Sequence, residues 1–325
     1  MRRALRALLL LLAALSVAAG AAALVAWRIA TAPGPLPEER NIVIPRGGIR
    51  DIAEVLEREG VIRDADAFAL AALLTRFQGP LRAGEFAFPA GASLLESLAV
   101  LRYARPVQRR FTIAEGMLAV QIRAALEAEP ALTGPVPPFA EGALLPETYL
   151  FSFGDSRESL VRRAAAAMEQ ALAQEWERRA PNLPFSTPRE ALILASIVER
   201  ETGVAEERAR VAGVFVNRLR RGMPLQSDPT TAYAAAGGGV LERPLTRADL
   251  QRDHPFNTYR VPGLPPGPIA SPGRAAIRAA LNPEAHDFLY FVADGTGGHA
   301  FARTLEEHNR NVARWRQIER ERGQR

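Results

Sequence analysis

The amino-acid sequence predicts an α+β protein with an N-terminal transmembrane helix, a small module and then a larger mixed α/β domain. Three observations support this fold class. Residues 8–26 form an uncharged run that is long enough to cross a bilayer. Short segments typical of strands then alternate with longer segments of helical periodicity. Turn-forming residues separate these segments, and several helical segments begin at residues that commonly cap helices.

The composition is that of a globular protein and excludes several kinds of site. Hydrophobic residues make up 48% of the 325 residues, which argues against disorder over most of the chain. All 41 basic residues are arginine, but they are interleaved with glutamate and accompany no nucleic-acid-binding motif. We therefore expect no nucleic-acid partner. The absence of cysteine excludes disulfides, thiolate chemistry and cysteine-based zinc sites.

Other cofactor and nucleophile motifs are also missing from the sequence. The four histidines, at positions 254, 286, 299 and 308, are scattered and show no i, i+4 spacing typical of a metal site. There is no G-x-S-x-G motif to indicate a serine hydrolase. The glycines at 295, 297 and 298 do not open a helix, which argues against a phosphate loop. We expect neither a metal nor a cofactor.

The first 40 residues predict a cytoplasmic segment (1–7), a membrane anchor (8–28) and a proline-rich linker (29–40). As a helix, residues 8–26 would extend roughly 28 Å, close to the ~30 Å hydrocarbon core of a bilayer. Three arginines precede this run and favour a cytoplasmic N terminus, with the remaining chain on the periplasmic or extracytoplasmic side of the inner (plasma) membrane. A cleaved signal peptide is the alternative, although the run exceeds a typical signal core.

Residues 41–105 predict a small module that begins with a strand at 41–45. Helices are expected at 50–59 and 64–77, a strand at 84–89, and a helix at 93–101 that Ser93 and Glu96 cap. This order, carried by IPRGGIRDIAEVLEREGVI and LRAGEFAF, resembles a LysM carbohydrate-binding unit, although the Gly-Asp-Thr turn typical of LysM is absent. The resemblance implies glycan contact, and a spacer or packing module is the alternative.

The larger domain, residues 106–325, centres on an apolar helix that ends in two carboxylates. Thr187, Pro188 and Glu190 predict the start of this helix, and residues 191–198 are its apolar run. Glu199 and Glu201 follow. Successive helical residues turn by about 100°, so these two side chains point about 200° apart and only one can face a given surface.

Glu201 is the better candidate for a desolvated acid. It follows the bulky Leu194 and Ile197 on one face of the helix, whereas Glu199 follows smaller residues. Burial raises the pKa of a carboxyl group, and a general acid that works near neutral pH needs a raised pKa. An exposed glutamate at a frayed helix end is the alternative interpretation.

Further polar residues downstream are candidates for the same cleft. A helix is predicted at 205–221, with Asn217 beside its apolar stripe. The polar loop after it ends in Asp228-Pro229, which also predicts the N-cap and first residue of a short helix. Ser271-Pro272 likewise predicts a helix start. The candidates outside the apolar helix are Glu147, Asn217, Gln226, Asp228, Thr230, Asn257 and Tyr259.

Four phrases occur in a fixed order: IVERETG, AGVFVNRLRRGMPLQSDPTTAY, FNTYRVPGLPPGPIASPG and LYFVADGTGGHAF. Together they resemble the endolytic murein transglycosylase family, also called MltG or YceG-like, and the resemblance covers residues 41–312. The anchor and the LysM-like module match the layout of that family. One departure lies at residues 144–148, LLPET, where the family commonly carries aromatic residues before Pro-Asp-Thr, so the contact assigned to Glu147 stays open.

The resemblance implies cleavage of the β-1,4 bond between N-acetylmuramic acid and N-acetylglucosamine in nascent peptidoglycan, with a 1,6-anhydromuramyl end formed without water. The family's catalytic glutamate is the second one of Glu-x-Glu-Thr, which is Glu201 here. The other candidates would then hydrogen-bond hydroxyl and acetamido groups, and Tyr259 could also stack on a sugar. Turn and cap residues that shape the cleft are the alternative for each of them.

The partners that follow are peptidoglycan glycan strands, the membrane through a single-pass anchor, and peptidoglycan synthases. Two other functions stay open from the sequence. One is a hydrolytic muramidase, which admits water and gives heavier product ends. The other is a membrane-tethered glycan-binding scaffold without catalysis, which an acid at position 201 disfavours.

Overall fold

The computed structural model describes residues 2–323, with side chains described from residue 6 to residue 322. Helices and short strands alternate after an apolar N-terminal helix, which confirms the predicted mixed α/β class. The chain splits into two compact units. Unit 1 comprises Met1–Arg109 with Leu150–Gly154, and unit 2 comprises Arg110–Tyr149 with Asp155–Arg325.

Helix α1 (Arg2–Thr31) contains the apolar run that the sequence singles out. Among the described residues it is the one helix long and apolar enough to cross a membrane, over Arg6–Thr31, and none of its most apolar window is buried. Its leucines and valines therefore have no protein core to occupy. A membrane span and a signal sequence both have these properties.

The remainder of unit 1 has its elements in the order that the sequence predicts. Strand β1 (Arg40–Ile44) pairs antiparallel with β2 (Gly84–Phe88). Between them lie α2 (Ile49–Arg58) and α3 (Ala65–Leu74), and α4 (Leu94–Tyr103) follows β2. Helix α3 ends three residues before the predicted end because a short 3₁₀ turn, Arg76–Gln78, replaces its last turn. Ser93 and Glu96 form the predicted capping box of α4.

Unit 2 is built around α7 (Pro188–Glu201), whose residues Ile193–Val198 are all buried. Helices α6 (Arg157–Glu177), α8 (Arg208–Arg220) and α11 (Arg274–Leu281) pack against it. The helix begins as predicted. Thr187 Oγ1 accepts a hydrogen bond from Glu190 N at 3.2 Å, and Glu190 Oε2 accepts one from Thr187 N at 2.9 Å.

The remaining strands are short, and further helices accompany them. Strands β3 (Arg109–Thr112) and β4 (Thr148–Phe151) form one two-stranded sheet, and β5 (Tyr290–Ala293) and β6 (His299–Ala302) form an antiparallel hairpin. The remaining helices are α5 (Ala119–Ala128), α9 (Asp228–Ala235), α10 (Arg247–Gln251) and α12 (Leu305–Gly323).

The predicted starts of α8 and α11 are wrong. The helix expected at 205–221 opens as a separate 3₁₀ turn, Ala205–Glu207, before α8. Ser271 and Pro272 do not start α11, whose N-cap is Gly273. The backbone of Ser271 is already engaged, because its oxygen accepts from Gly116 N and its nitrogen donates to Met117 O. A local cap signal loses here to a tertiary contact.

Candidate active site

A cleft of about 480 Å³ in unit 2 opens beside the C-terminal end of α7. Side chains from α7, α8, the loop before α9, and the β5–β6 hairpin line it, together with α12. Four sequence candidates meet there. They are Glu201, Gln226, Asp228 and Tyr259.

Glu199 and Glu201 point to different surroundings, as the helical geometry predicts. Glu201 faces the cleft and is half-buried. Glu199 has only 4% of its side chain exposed, accepts a hydrogen bond from Gly273 N at 2.8 Å, and lies 3.4 Å from Arg208 Nη2. Burial raises the pKa of Glu199 as well, so desolvation alone does not distinguish the two carboxyls. What distinguishes them is that only Glu201 lines the cleft.

The environment of Glu201 raises its pKa from 4.5 to about 7. Burial is the main cause, and the negative charge of Asp228 adds to it. The hydroxyl of Ser227, which donates to Glu201 Oε1 at 2.5 Å, and the positive charge of Arg218 act in the opposite direction. A carboxyl with a pKa near 7 can both give and accept a proton near neutral pH.

Ser227 is the one hydrogen-bond partner of the Glu201 side chain among the described residues, and sequence reasoning missed it. Its backbone nitrogen donates to Thr258 Oγ1 at 3.0 Å, and its oxygen accepts from Thr230 Oγ1 at 2.7 Å. Thr230 is fully buried and also lies 2.8 Å from Thr258 Oγ1. Thr230 therefore fixes the loop from behind and does not line the cleft. The only sequence signal for Ser227 is its place between two polar candidates.

Arg218 is a second residue that sequence reasoning missed. Its buried guanidinium donates to Leu289 O, Pro224 O and Leu225 O, at 2.6–3.1 Å, and to Gln226 Oε1 at 3.2 Å. Its Cζ lies 5.0 Å from the centre of the Tyr290 ring. Arg218 thus ties the loop before α9 to the hairpin and orients Gln226, whose backbone adopts a left-handed φ of 52°.

Asp228 and Tyr259 form a hydrogen-bonded pair at the cleft. The Tyr259 hydroxyl donates to Asp228 Oδ1 at 2.7 Å. Burial is the main cause that raises the pKa of Tyr259, and the hydrogen bond with Asp228 is the next. The raised pKa keeps the Tyr259 hydroxyl protonated, so it can act as a donor. The predicted N-cap role of Asp228 is wrong. Helix α9 begins at Asp228 with Ser227 as N-cap, and the Asp228 carboxylate accepts from Tyr259 instead.

Three other sequence candidates lie away from the cleft lining. Asn217 Nδ2 donates to His286 O at 2.8 Å and Phe288 O at 3.1 Å, which holds the segment before β5. Asn257 is fully buried, and its amide nitrogen donates to three backbone oxygens of residues 249–252. Glu147 is exposed and pairs with Arg274 at 3.2 Å. Within residues 2–323 no group of three or more acidic or histidine side chains could hold a metal ion.

The comparisons with known proteins agree on one family. The model of the YceG-like family matches residues 42–314. The endolytic murein transglycosylase of Bacillus subtilis (strain 168) is 39% identical over 170 residues, 52% of this chain and 46% of that protein. The enzyme of the same name from Streptococcus pneumoniae serotype 2 (strain D39) is 41% identical over 177 residues, 53% of this chain and 32% of that protein.

The chain thus spans less than half the length of these two relatives. A 2.6 Å crystal structure of a YceG-like protein from Listeria monocytogenes covers more of it. That likeness has a TM-score of 0.54 at 28% identity, and spans 84% of this chain and 98% of the other. The chain belongs to the YceG-like family.

Proposed function

We propose that this chain is an endolytic murein transglycosylase, which cleaves the β-1,4 bond between N-acetylmuramic acid and N-acetylglucosamine within peptidoglycan strands. The observation that carries the proposal is Glu201, a half-buried carboxyl with a pKa of about 7 that lines an open cleft. The names of the relatives from B. subtilis and S. pneumoniae support the same substrate class.

One carboxyl serves both proton transfers of this reaction. Protonated Glu201 donates its proton to the glycosidic oxygen as the bond from that oxygen to C1 of N-acetylmuramic acid breaks. The Glu201 carboxylate then takes the proton of the C6 hydroxyl, whose oxygen forms the new bond to C1. The product carries a 1,6-anhydro ring, Glu201 is protonated again, and no water is consumed.

The other cleft residues position the glycan in this proposal. Gln226, Asp228 and Tyr259 line the cleft with Glu201 and contact hydroxyl and acetamido groups. Asn217, Thr230 and Asn257 act from behind, since their side chains bond the loops that carry the lining residues. Glu147 lies outside the cleft lining and pairs with Arg274, and its contact with substrate stays a prediction.

A hydrolytic muramidase is the second candidate, and Asp228 is the observation that favours it. Hydrolases of this class commonly use two carboxylates, one of which acts on water or as a nucleophile. The negative charge of Asp228 is close enough to raise the pKa of Glu201. In a transglycosylase the C6 hydroxyl and the acetamido group of the substrate replace that second carboxylate.

The masses of the product ends decide between these functions. We expect the chain to release ends from uncrosslinked glycan strands that are lighter by one water than hydrolysed reducing ends, as read by mass spectrometry. Reducing ends would establish the hydrolase. Strands that are bound but never cut would establish a glycan-binding scaffold.

Ser227→Ala is expected to move the alkaline limb of kcat/KM to higher pH. The Ser227 hydroxyl stabilises the ionised form of Glu201 and so lowers its pKa. Without it the acid stays protonated to higher pH. The measurement is kcat/KM from mildly acidic to alkaline pH, with the exposed Ser186→Ala as the matched control. A limb that stays in place or moves down would contradict the role of Ser227.

The same proposal gives the rest of the chain an anchoring and glycan-binding role. Helix α1 is an uncleaved single-pass anchor in the inner (plasma) membrane, and the catalytic unit lies on the periplasmic or extracytoplasmic side. The arginines before residues 8–26 support this orientation. Residues 41–105 are a LysM-like module that contacts glycan, supported by their β-α-α-β order. Peptidoglycan synthases are the partners expected near nascent strands.

A further inference from the structure

The β5–β6 hairpin brings His299 to the cleft, and Glu207, just before α8, pairs with it. The proton transfers proposed above use neither residue. His299 Nδ1 lies 2.7 Å from Glu207 Oε2. The backbone N–H of His299 donates to the other oxygen of the same carboxylate, Glu207 Oε1, at 3.0 Å. Each side chain has only 15% of its surface exposed. Glu207 therefore holds both the main chain and the ring of His299.

The ring of His299 has a fixed orientation. Phe291 packs edge-on against it, with ring centres 5.3 Å apart and an angle of 90°, and Phe301 lies on another side at 6.4 Å. A carboxylate at Nδ1 selects the tautomer in which Nδ1 carries the proton. In the neutral ring, Nε2 then presents a lone pair and acts as a hydrogen-bond acceptor.

Nε2 is the atom of this pair that is left for a ligand. No hydrogen-bond partner of Nε2 is found among the described side chains. Nε2 is also not among the described polar atoms that are buried without a partner, which are Arg208 Nε and His308 Nδ1. His299 lines the same cleft as Glu201. An acceptor that is held rigidly and open to the cleft loses little conformational freedom when a ligand binds it.

We propose that His299 is a substrate-positioning residue whose Nε2 accepts a hydrogen bond from a hydroxyl or amide N–H group of the bound glycan. Glu207 keeps the ring in the tautomer that makes this bond. The identity of the ligand as a glycan rests on the proposed function. The role of His299 in binding does not depend on which bond is cut.

Two substitutions separate the two nitrogens of the ring. His299→Asn puts its amide near the position of Nδ1, so it reaches Glu207 but not the cleft. His299→Gln extends its amide toward the position of Nε2, so it reaches the cleft but not Glu207. Both are made in the full chain with Glu201→Gln, and the dissociation constant for uncrosslinked glycan strands is measured.

We expect His299→Asn to raise this dissociation constant about two- to tenfold, the effect of one net hydrogen bond. His299→Gln should stay within about twofold of the Glu201→Gln parent, because its amide can replace Nε2. The reverse order would show that only the Glu207 contact matters, and would overturn the proposal. Equal losses in both variants, or none in either, would overturn it as well.

Unfolding midpoints identify a variant that fails to fold. In that case Glu207→Gln decides, since its amide oxygen is still an acceptor for the hairpin while the charge that fixes the tautomer is gone. Weaker glycan binding by Glu207→Gln supports the proposal, and unchanged binding overturns it.

Cleavage kinetics, measured in chains that keep Glu201, supply a second readout. His299→Asn should raise KM and leave kcat nearly unchanged, as expected when an interaction common to ground and transition state is removed. A fall in kcat at constant KM would overturn the positioning role. The chain could also make no anhydro ends while His299→Asn still weakens glycan binding. That result would support the positioning role of His299 and overturn the proposed transglycosylase function.

Discussion

Glu201→Gln is expected to lower kcat/KM for glycan cleavage by about 10²–10⁴-fold, the usual contribution of one positioned acid or base. Glutamine keeps the size of the side chain and can still accept the hydrogen bond from Ser227. It has no proton to give to the leaving oxygen and no carboxylate to take one from the C6 hydroxyl. The loss should therefore appear in kcat, and KM should change little.

The rate of release of anhydro ends measures this effect, and Glu319→Gln is the matched control. Glu319 is exposed on α12, so the same chemical change there should leave the rate unaltered. A wild-type rate for Glu201→Gln would remove Glu201 as the acid and make Glu199 the next candidate. Glu199 is a poor candidate on its contacts, since Gly273 N and Arg208 already engage its carboxylate.

The sequence predicts the helix that carries Glu201 because the signals for that helix are local. The cap at Thr187 and the apolar run after it lie within a few turns, and propensity and periodicity act over that distance. The same periodicity correctly separates the directions of Glu199 and Glu201. It does not reveal that Glu199 is also buried, because the residues that cover it, Gly273 and Arg208, come from other segments.

The rest of the site depends on contacts between residues that are far apart in the chain. The periodicity of a single sequence reports local structure and does not reveal such contacts. Ser227 reaches Glu201 across 26 positions, and His299 reaches Glu207 across 92. The sequence presents Asn217 and Asn257 as polar candidates for the cleft. Their amides instead satisfy backbone oxygens, of the segment before β5 for Asn217 and of the end of α10 for Asn257, a demand that is visible only once the chain is folded.

Local patterns also fail where a tertiary partner competes with them. Asp228-Pro229 has the sequence of a cap followed by a first helical residue, and a helix does begin there. The carboxylate is nevertheless turned to the hydroxyl of Tyr259, 31 positions away. This departure from local propensity occurs at the cleft. A carboxylate that capped the helix would not be free to contact a ligand there.

Glu201 should make the native chain less stable as the pH rises. Its pKa is about 7 in the folded state against 4.5 for the unperturbed group. Between these values the native state keeps a proton that the unfolded chain has released, so the free energy of unfolding falls with rising pH. At 1.36 kcal/mol per unit, a difference of about 2.5 units corresponds to about 3 kcal/mol, fully lost above pH 7.

Glu201→Gln removes this ionisation, because glutamine stays neutral at every pH. Wild type and variant should show similar stability below pH 4.5, and the variant should be more stable by up to about 3 kcal/mol above pH 7. Denaturant unfolding in detergent measures this, with Trp176, packed against the core of unit 2, as a fluorescent reporter.

Glu319→Gln serves again as the exposed control and should show no such divergence. If the stabilities of wild type and Glu201→Gln changed with pH in parallel, the folded state would not raise the pKa of Glu201. A variant that loses its activity while gaining stability above neutral pH cannot owe the loss to unfolding. Together the two measurements would assign the cost in stability and the catalytic effect to the same half-buried carboxyl.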